Sequence, residues 1–149
     1  MKTRLIKPSD VETILELGRK AHQESRYAKY PFDGSKCLMI LNSCLTLDET
    51  FCIVLEHEDQ IVGFAAGYLV EHFFTSQRFA NDMLVYVAPE YRSKSGGSIL
   101  IKAFEDHVRE NFGDIPIVMG ITTGVEPERS ASLYEFMGFK QCGTLFTKE

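Results

Sequence analysis

The chain has 149 residues, 44% of them hydrophobic, and a formal net charge of -5. That size and apolar content suit one globular domain with a substantial core, so a single domain over residues 1–149 without a linker is expected. The acidic balance argues against a general binder of nucleic acid or anionic membrane, since such partners are held largely through basic surface.

The elements follow in chain order. Thr3 to Lys7 form a short, partly apolar stretch that reads as a strand closed by Pro8. Ser9 followed by Glu12 has the spacing of a capping box, and Val11, Ile14, Leu15 and Gly18 give a helical stripe ending near His22. After "ESRYAKYPF", Asp33 is placed to cap a second helix whose Cys37, Ile40, Leu41, Cys44 and Leu45 share one face.

The pattern then changes to two continuous apolar runs, "FCIVLE" and "IVGFAAGYLV", joined by "HEDQ", which predict a hairpin of buried strands. A less regular loop, "EHFFTSQRFAND", leads to a strand "MLVYVA". From about Ser98 the spacing of Leu100, Phe104, Val108 and Phe112 predicts a helix stopped by Gly113. "IPIVMGI" reads as a strand, "PERSASLYEFM" as a short helix ended by Gly138, and "FKQCGTLF" as a last strand. The order β-α-α-β-β-β-α-β-α-β predicts an α/β (α+β) fold, a mixed sheet covered by helices.

Cys37, Cys44, Cys52 and Cys142 form no CxxC pair, and the four histidines lack metal-ligand spacing, so neither a metal site nor a disulfide framework is expected. "MKTRLIKPSD" lacks the apolar stretch of a leader, and no apolar run approaches the roughly 20 residues of a membrane span. A cytoplasmic protein without a membrane partner is the expectation.

One stretch carries chemistry. In "VAPEYRSKSGGSILIKAF", Pro89 cannot donate to a sheet ladder, so the chain must leave the sheet before the turn "RSKSGGS" opens a helix. Unpaired N–H groups at a helix start, small residues, the helix dipole, and Arg92 and Lys94 nearby together describe an anion site suited to phosphate. It is not a Walker A sequence, and it lies too late in the chain for a doubly wound nucleotide fold.

These residues resemble the GCN5-related N-acetyltransferase (GNAT) family, whose pyrophosphate loop has the pattern [QR]-x-x-G-x-[GA]. Arg92, Ser95 and Gly97 fall on its defining positions, with Ser95 where glycine is usual, a residue type that positive φ disfavours. "VYVAPEYR" is similar to the strand that precedes that loop, and "LYEFMGF" to the C-terminal L-Y-x-x-x-G-F signature through Leu133, Tyr134, Gly138 and Phe139. The asparagine often found before that last helix is not evident in "GVEPERSAS". "HQESRYAKYPFD" also resembles uncharacterised members of the family encoded by bacteriophages and prophages.

The resemblance implies a mostly antiparallel sheet with helices on both faces, and acetyl-coenzyme A as co-substrate without a metal. The cofactor would lie between two splayed parallel strands, its pyrophosphate on the amides of Arg92, Ser93, Lys94, Ser95, Gly96, Gly97 and Ser98. Val85 and Val87 would offer backbone groups to the pantetheine arm, the alternative being simple strand pairing. Tyr134 takes the position of the general acid, a phenol that stays protonated at neutral pH; the alternative is a packing tyrosine. Asp82 is the first candidate for the base, with Glu71 and His72 next, although each also reads as a solvated loop residue.

Specificity is expected from the early helices and their connection, where His22, Glu24, Tyr27, Tyr30 and Phe32 would make an aromatic, acidic mouth, with His72 a further contact. Tyr30 and Phe32 also read as a staple on the second helix. The acceptor is expected to be a small-molecule or protein amine, with charged tRNA disfavoured, and dimerisation is a family expectation. From another class, a non-catalytic acyl-coenzyme A sensor or interaction module stays open.

Overall fold

A computed structural model describes residues 1–148. Glu149 of the expected domain lies outside the described residues. The elements are β1 (Lys2–Leu5), α1 (Val11–Glu24), α2 (Gly34–Thr46), β2 (Thr50–His57), β3 (Gln60–Glu71), β4 (Arg78–Val87), α3 (Gly96–Phe112), β5 (Ile117–Val118) and α4 (Pro127–Phe136). They build one sheet in the order β1-β2-β3-β4-β5. β1 to β4 are antiparallel, and β5 joins β4 in parallel. This is the mixed, mostly antiparallel sheet that the sequence implies.

The long apolar runs have a simple cause: both faces of the sheet are covered. Cys52 and Val54 of β2 pack with Ile14, Leu17 and Ala21 of α1 and Leu41 of α2. Their neighbours Phe51, Ile53 and Leu55 point the other way, to Leu100, Phe104 and Val108 of α3. A period of two therefore becomes a continuous apolar string when each face has its own helices. The hairpin turn between β2 and β3 is a two-residue one, with Glu58 at φ 50 and Asp59 at φ 60, and His57 paired with Gln60. Left-handed residues at both central positions match the twist of the flanking strands.

Some local expectations change and one holds. Ser9 does not cap α1; a 3-10 turn, Pro8–Asp10, precedes the helix. There the Asp10 carboxylate accepts the Lys7 N–H at 2.7 Å and pairs with Arg4 at 2.6 Å, two fixed donors that hold it well below the usual carboxylate range. Asp33 does cap α2, accepting the Lys36 N–H at 2.9 Å. β4 begins at Arg78 rather than Met83, because Phe79 and Asn81 extend the ladder opposite Val70 and Tyr68 despite the polar sequence.

β5 is only two residues long, Ile117–Val118. The last strand expected over 139–146 is not formed, with Leu145 79% and Phe146 94% exposed. So short a β5 offers little ladder for a further strand to extend.

Candidate active site

The site starts from a disagreement between two strand neighbours. β5 pairs with β4 only at Ala80 with Ile117 and Asn81 with Val118, after which the strands part. On its other edge β4 carries a bulge: Gly67 pairs with Asp82 and Ala66 with Leu84, leaving Met83 between them. A bulge bends a strand and raises its twist, which turns β4 away from β5.

Past the bulge, the Ala88 N–H donates to the Val62 carbonyl of β3 at 2.8 Å. By alternation, Val85 and Val87 turn their peptide groups to the open side. The Val87 carbonyl is taken by Arg92 Nε at 2.8 Å, so Val85 is the freer of the two for a ligand.

The opening is a cleft of about 160 Å³ that runs through the sheet. Ala21, Glu24, Leu84 and Tyr86 line it from the α1 side, and Gly97, Ile101, Leu133 and Tyr134 from the side of α3 and α4. Val85, Val87 and Arg92 lie between.

Where the strands part, Asp82 Oδ1 accepts the Gly120 N–H at 2.7 Å. Burial pushes the Asp82 carboxyl up to about 6, against the lowering effect of that hydrogen bond. Tyr134, from the middle of α4, is pushed well above the ordinary phenol range by burial and then by the charge of Asp82. A carboxyl pushed up to about 6 and a phenol kept neutral thus lie within electrostatic reach of each other; Tyr134 lines the cleft, and Asp82 stands beside it where the strands part.

The turn before α3 is preformed. A 3-10 turn, Pro89–Tyr91, is followed by Ser95 at φ 64, ψ 10, the left-handed cap of the helix, without a side-chain cap bond. Within it the Arg92 N–H donates to Pro89 and the Lys94 N–H to Tyr91, while Lys94 Nζ lies over the Tyr91 ring at 5.3 Å. The amides at the start of α3 have no partner inside the helix, as at any helix start. Ser98 Oγ donates to the Ser95 carbonyl at 2.9 Å.

Two glycines open the approach. A Cβ on Gly96 would lie 3.0 Å from Val87 Cγ1, and one on Gly97 2.9 Å from Leu133 Cδ2. The helix start therefore packs on β4 and α4 with backbone alone, leaving amide donors and the positive dipole end for an anion. Of the expected phosphate turn, Ser95 to Ser98 fit that role by their amides, whereas the Arg92 and Lys94 amides are used within the turn.

Arg92 itself points elsewhere. Its Nη2 meets Glu24 Oε2 at 2.5 Å, its Nη1 lies 3.9 Å from Glu126 Oε2, and its guanidinium lies 5.5 Å from the Tyr86 ring centre. The Tyr86 hydroxyl donates to Glu24 Oε1 at 2.9 Å. Burial and this carboxylate push that phenol up to about 12. Glu126, left-handed at φ 39 ahead of Pro127, also pairs with Arg129 at 3.2 Å.

Of the expected acceptor contacts, only Glu24 lines the cleft. Tyr27 is exposed beside Arg26, and the Tyr30 carbonyl is hydrogen-bonded by His22 Nε2 at 3.0 Å. The same segment is tied to the loop before α4 by the Arg26 N–H, which donates to the Thr123 carbonyl at 2.8 Å. His72 stands at the far end of β3, edge-on to Phe79 at 4.5 Å. Sequence reasoning missed Tyr86, Glu126 and Arg129. Nothing local to these residues in the sequence signals the cluster, because Tyr86 meets Glu24, and Glu126 meets Arg92, from far away in the chain.

A family model described as the acetyltransferase (GNAT) family matches residues 12–139. Among solved structures, a ribosomal-protein-alanine N-acetyltransferase from Brucella melitensis biovar Abortus 2308 superposes with a TM-score of 0.73 at 17% identity, covering 100% of this chain and 99% of that one. An aminoglycoside antibiotic 6'-N-acetyltransferase from Acinetobacter haemolyticus gives 0.76 at 14% identity, covering 100% and 99%. AAC(6')-Iy, in complex with the bisubstrate analogue CoA-S-monomethyl-acetylneamine, gives 0.78 at 15% identity, covering 99% and 96%. At such identities the likeness is one of fold. No curated protein sequence matches the chain.

Proposed function

Since the chain belongs to the acetyltransferase (GNAT) family, we propose that its cleft transfers an acetyl group from acetyl-coenzyme A to a primary amine of a small molecule or a protein. The observation that carries this reading is the splay itself. Gly97 of the helix start, the free peptide edge of Val85 and Tyr134 line one opening, and Asp82 stands at the point where β4 and β5 part, near enough for its charge to act on Tyr134.

Acetyl-coenzyme A supplies an acyl group activated as a thioester. The amides of Ser95 to Ser98 and the dipole of α3 hold its pyrophosphate. Val85 pairs its peptide with the amide-bearing arm, as an exposed strand edge pairs with an added strand. Asp82, with its Oδ2 left over from the Gly120 bond, takes a proton from the attacking amine. Tyr134 gives its hydroxyl proton to the departing sulfur. One N–C bond forms and one C–S bond breaks. The resting state returns when Asp82 releases its proton to solvent and Tyr134 regains one.

The amine enters from the α1 side, past Ala21 and Leu84. Both a small molecule and a protein fit this reading, since the neighbours include enzymes whose names specify an aminoglycoside and a ribosomal-protein alanine. Incubation with acetyl-coenzyme A and a panel of amines, followed by mass spectrometry, tests the assignment. A nitrogen-acetylated product supports it, and acetylation confined to hydroxyl or thiol acceptors sinks it.

A further inference from the structure

The ion-pair cluster at the edge of the cleft has an unexpected direction. Arg92 opens the phosphate turn, yet every polar contact of its side chain is made behind the turn: Val87 O at 2.8 Å, Glu24 Oε2 at 2.5 Å and Glu126 Oε2 at 3.9 Å. Glu24 in turn uses both of its oxygens, one on Arg92 and the other on the Tyr86 hydroxyl at 2.9 Å. A carboxylate so engaged has little left to offer an incoming ammonium group. The guanidinium, facing a carboxylate at hydrogen-bond distance, likewise adds little net positive charge toward a phosphate.

We infer that Glu24 is a positioning residue for the phosphate-binding turn: together with the Tyr86 hydroxyl it holds the Arg92 guanidinium against the Val87 carbonyl, and so fixes where the turn leaves β4. The inference rests on the reading of Ser95 to Ser98 as the pyrophosphate site. Arg92 lies three residues before Ser95, whose left-handed conformation starts α3, and a guanidinium gripped at Nε and Nη2 cannot pivot. Glu24 ends α1. A residue on the acceptor side of the sheet thereby sets the geometry on the cofactor side.

Three effects of Glu24→Gln are separable. Loosening of the turn weakens acetyl-coenzyme A binding. Loss of an acceptor contact raises only the acceptor KM. Release of Arg92 from its counter-charge strengthens binding of the anionic cofactor.

The test measures acetyl-coenzyme A affinity by calorimetry and both KM values for the wild type, Glu24→Gln and Tyr86→Phe. Tyr86→Phe removes one hydrogen bond without changing charge, and so reports on positioning even if Glu24→Gln fails to fold. The expected result is an acetyl-coenzyme A Kd and KM raised about tenfold in Glu24→Gln, the scale of a lost hydrogen bond to a charged group, and by less in Tyr86→Phe. The acceptor KM should shift by less than about twofold, on the view that the amine does not touch Glu24.

Unchanged or tighter cofactor binding in folded Glu24→Gln, or a rise confined to the acceptor KM, overturns the inference. So does Tyr86→Phe with wild-type affinity. Gly97→Glu in the same experiment reports on the phosphate site itself. If it binds as tightly as the wild type, the reading of the turn fails, and this inference with it.

Discussion

Asp82 and Gly120 are hydrogen-bonded, carboxylate to amide at 2.7 Å, across the point where β4 and β5 part. The bond ties β4 to the segment after β5 at the point of separation and leaves the second carboxylate oxygen for the proposed proton transfer. Asparagine at this position keeps an oxygen for Gly120 and removes the proposed base. Asp82→Asn is expected to fold and to bind acetyl-coenzyme A, while turnover falls by about 10² to 10⁴, the usual worth of general acid-base catalysis. Steady-state kinetics beside calorimetry check this.

The carboxyl of Asp82 titrates at about 6 in the folded chain against an ordinary 3.8. As a base it works ionised, so kcat/KM should rise through a pH of about 6 and then level off until another group titrates. For stability the sign is opposite. The folded state holds this proton more tightly than the unfolded state, so the contribution is full below about 3.8 and is lost as pH rises through about 6. Relative to wild type, the Tm of Asp82→Asn should therefore increase from about pH 4 to about pH 7. A constant difference would mean that Asp82 titrates normally.

Tyr134→Phe keeps the ring, which lies tilted against Phe139 with ring centres 5.6 Å apart, and removes only the hydroxyl. Turnover should fall by about 10² or more where chemistry limits the rate, with acetyl-coenzyme A affinity nearly unchanged. Wild-type turnover would leave Tyr134 as a packing residue of α4.

Substitutions in the turn should separate space from strain. Gly97→Glu puts a side chain 2.9 Å from Leu133 Cδ2 and a negative charge where phosphate is held, so acetyl-coenzyme A binding should be lost in the folded variant. Ser95→Gly relieves a left-handed residue at φ 64 and should leave thermal stability equal or higher, by up to about 1 kcal/mol, with binding unchanged or tighter. Weaker binding in Ser95→Gly would make the hydroxyl a ligand.

Much of this was legible in the chain because its signals are local. The capping aspartate of α2, the buried hairpin, the stop at Gly113 and the left-handed strain at Ser95 each depend on a few consecutive residues. The Arg92 cluster was not legible, since Glu24 meets partners 62 and 68 residues away and nothing near it in sequence names them. β4 was read too short for a related reason. Arg78 to Asp82 are polar enough for a loop, and only the partner strand β3 makes them a ladder. The last expected strand failed the other way: 139–146 carry apolar residues at both ends, but β5 is only two residues long and offers them little ladder.

The most direct test of the central claim is release of the coenzyme A thiol from acetyl-coenzyme A, followed with and without a primary amine, in wild type and Asp82→Asn. Thiol release that depends on the amine, accompanies acetylated product in equal amount and collapses in Asp82→Asn is the result predicted. Tight binding of acetyl-coenzyme A with no amine-dependent release across small amines, peptides and protein N-termini would contradict it, and would favour an acyl-coenzyme A sensor in its place.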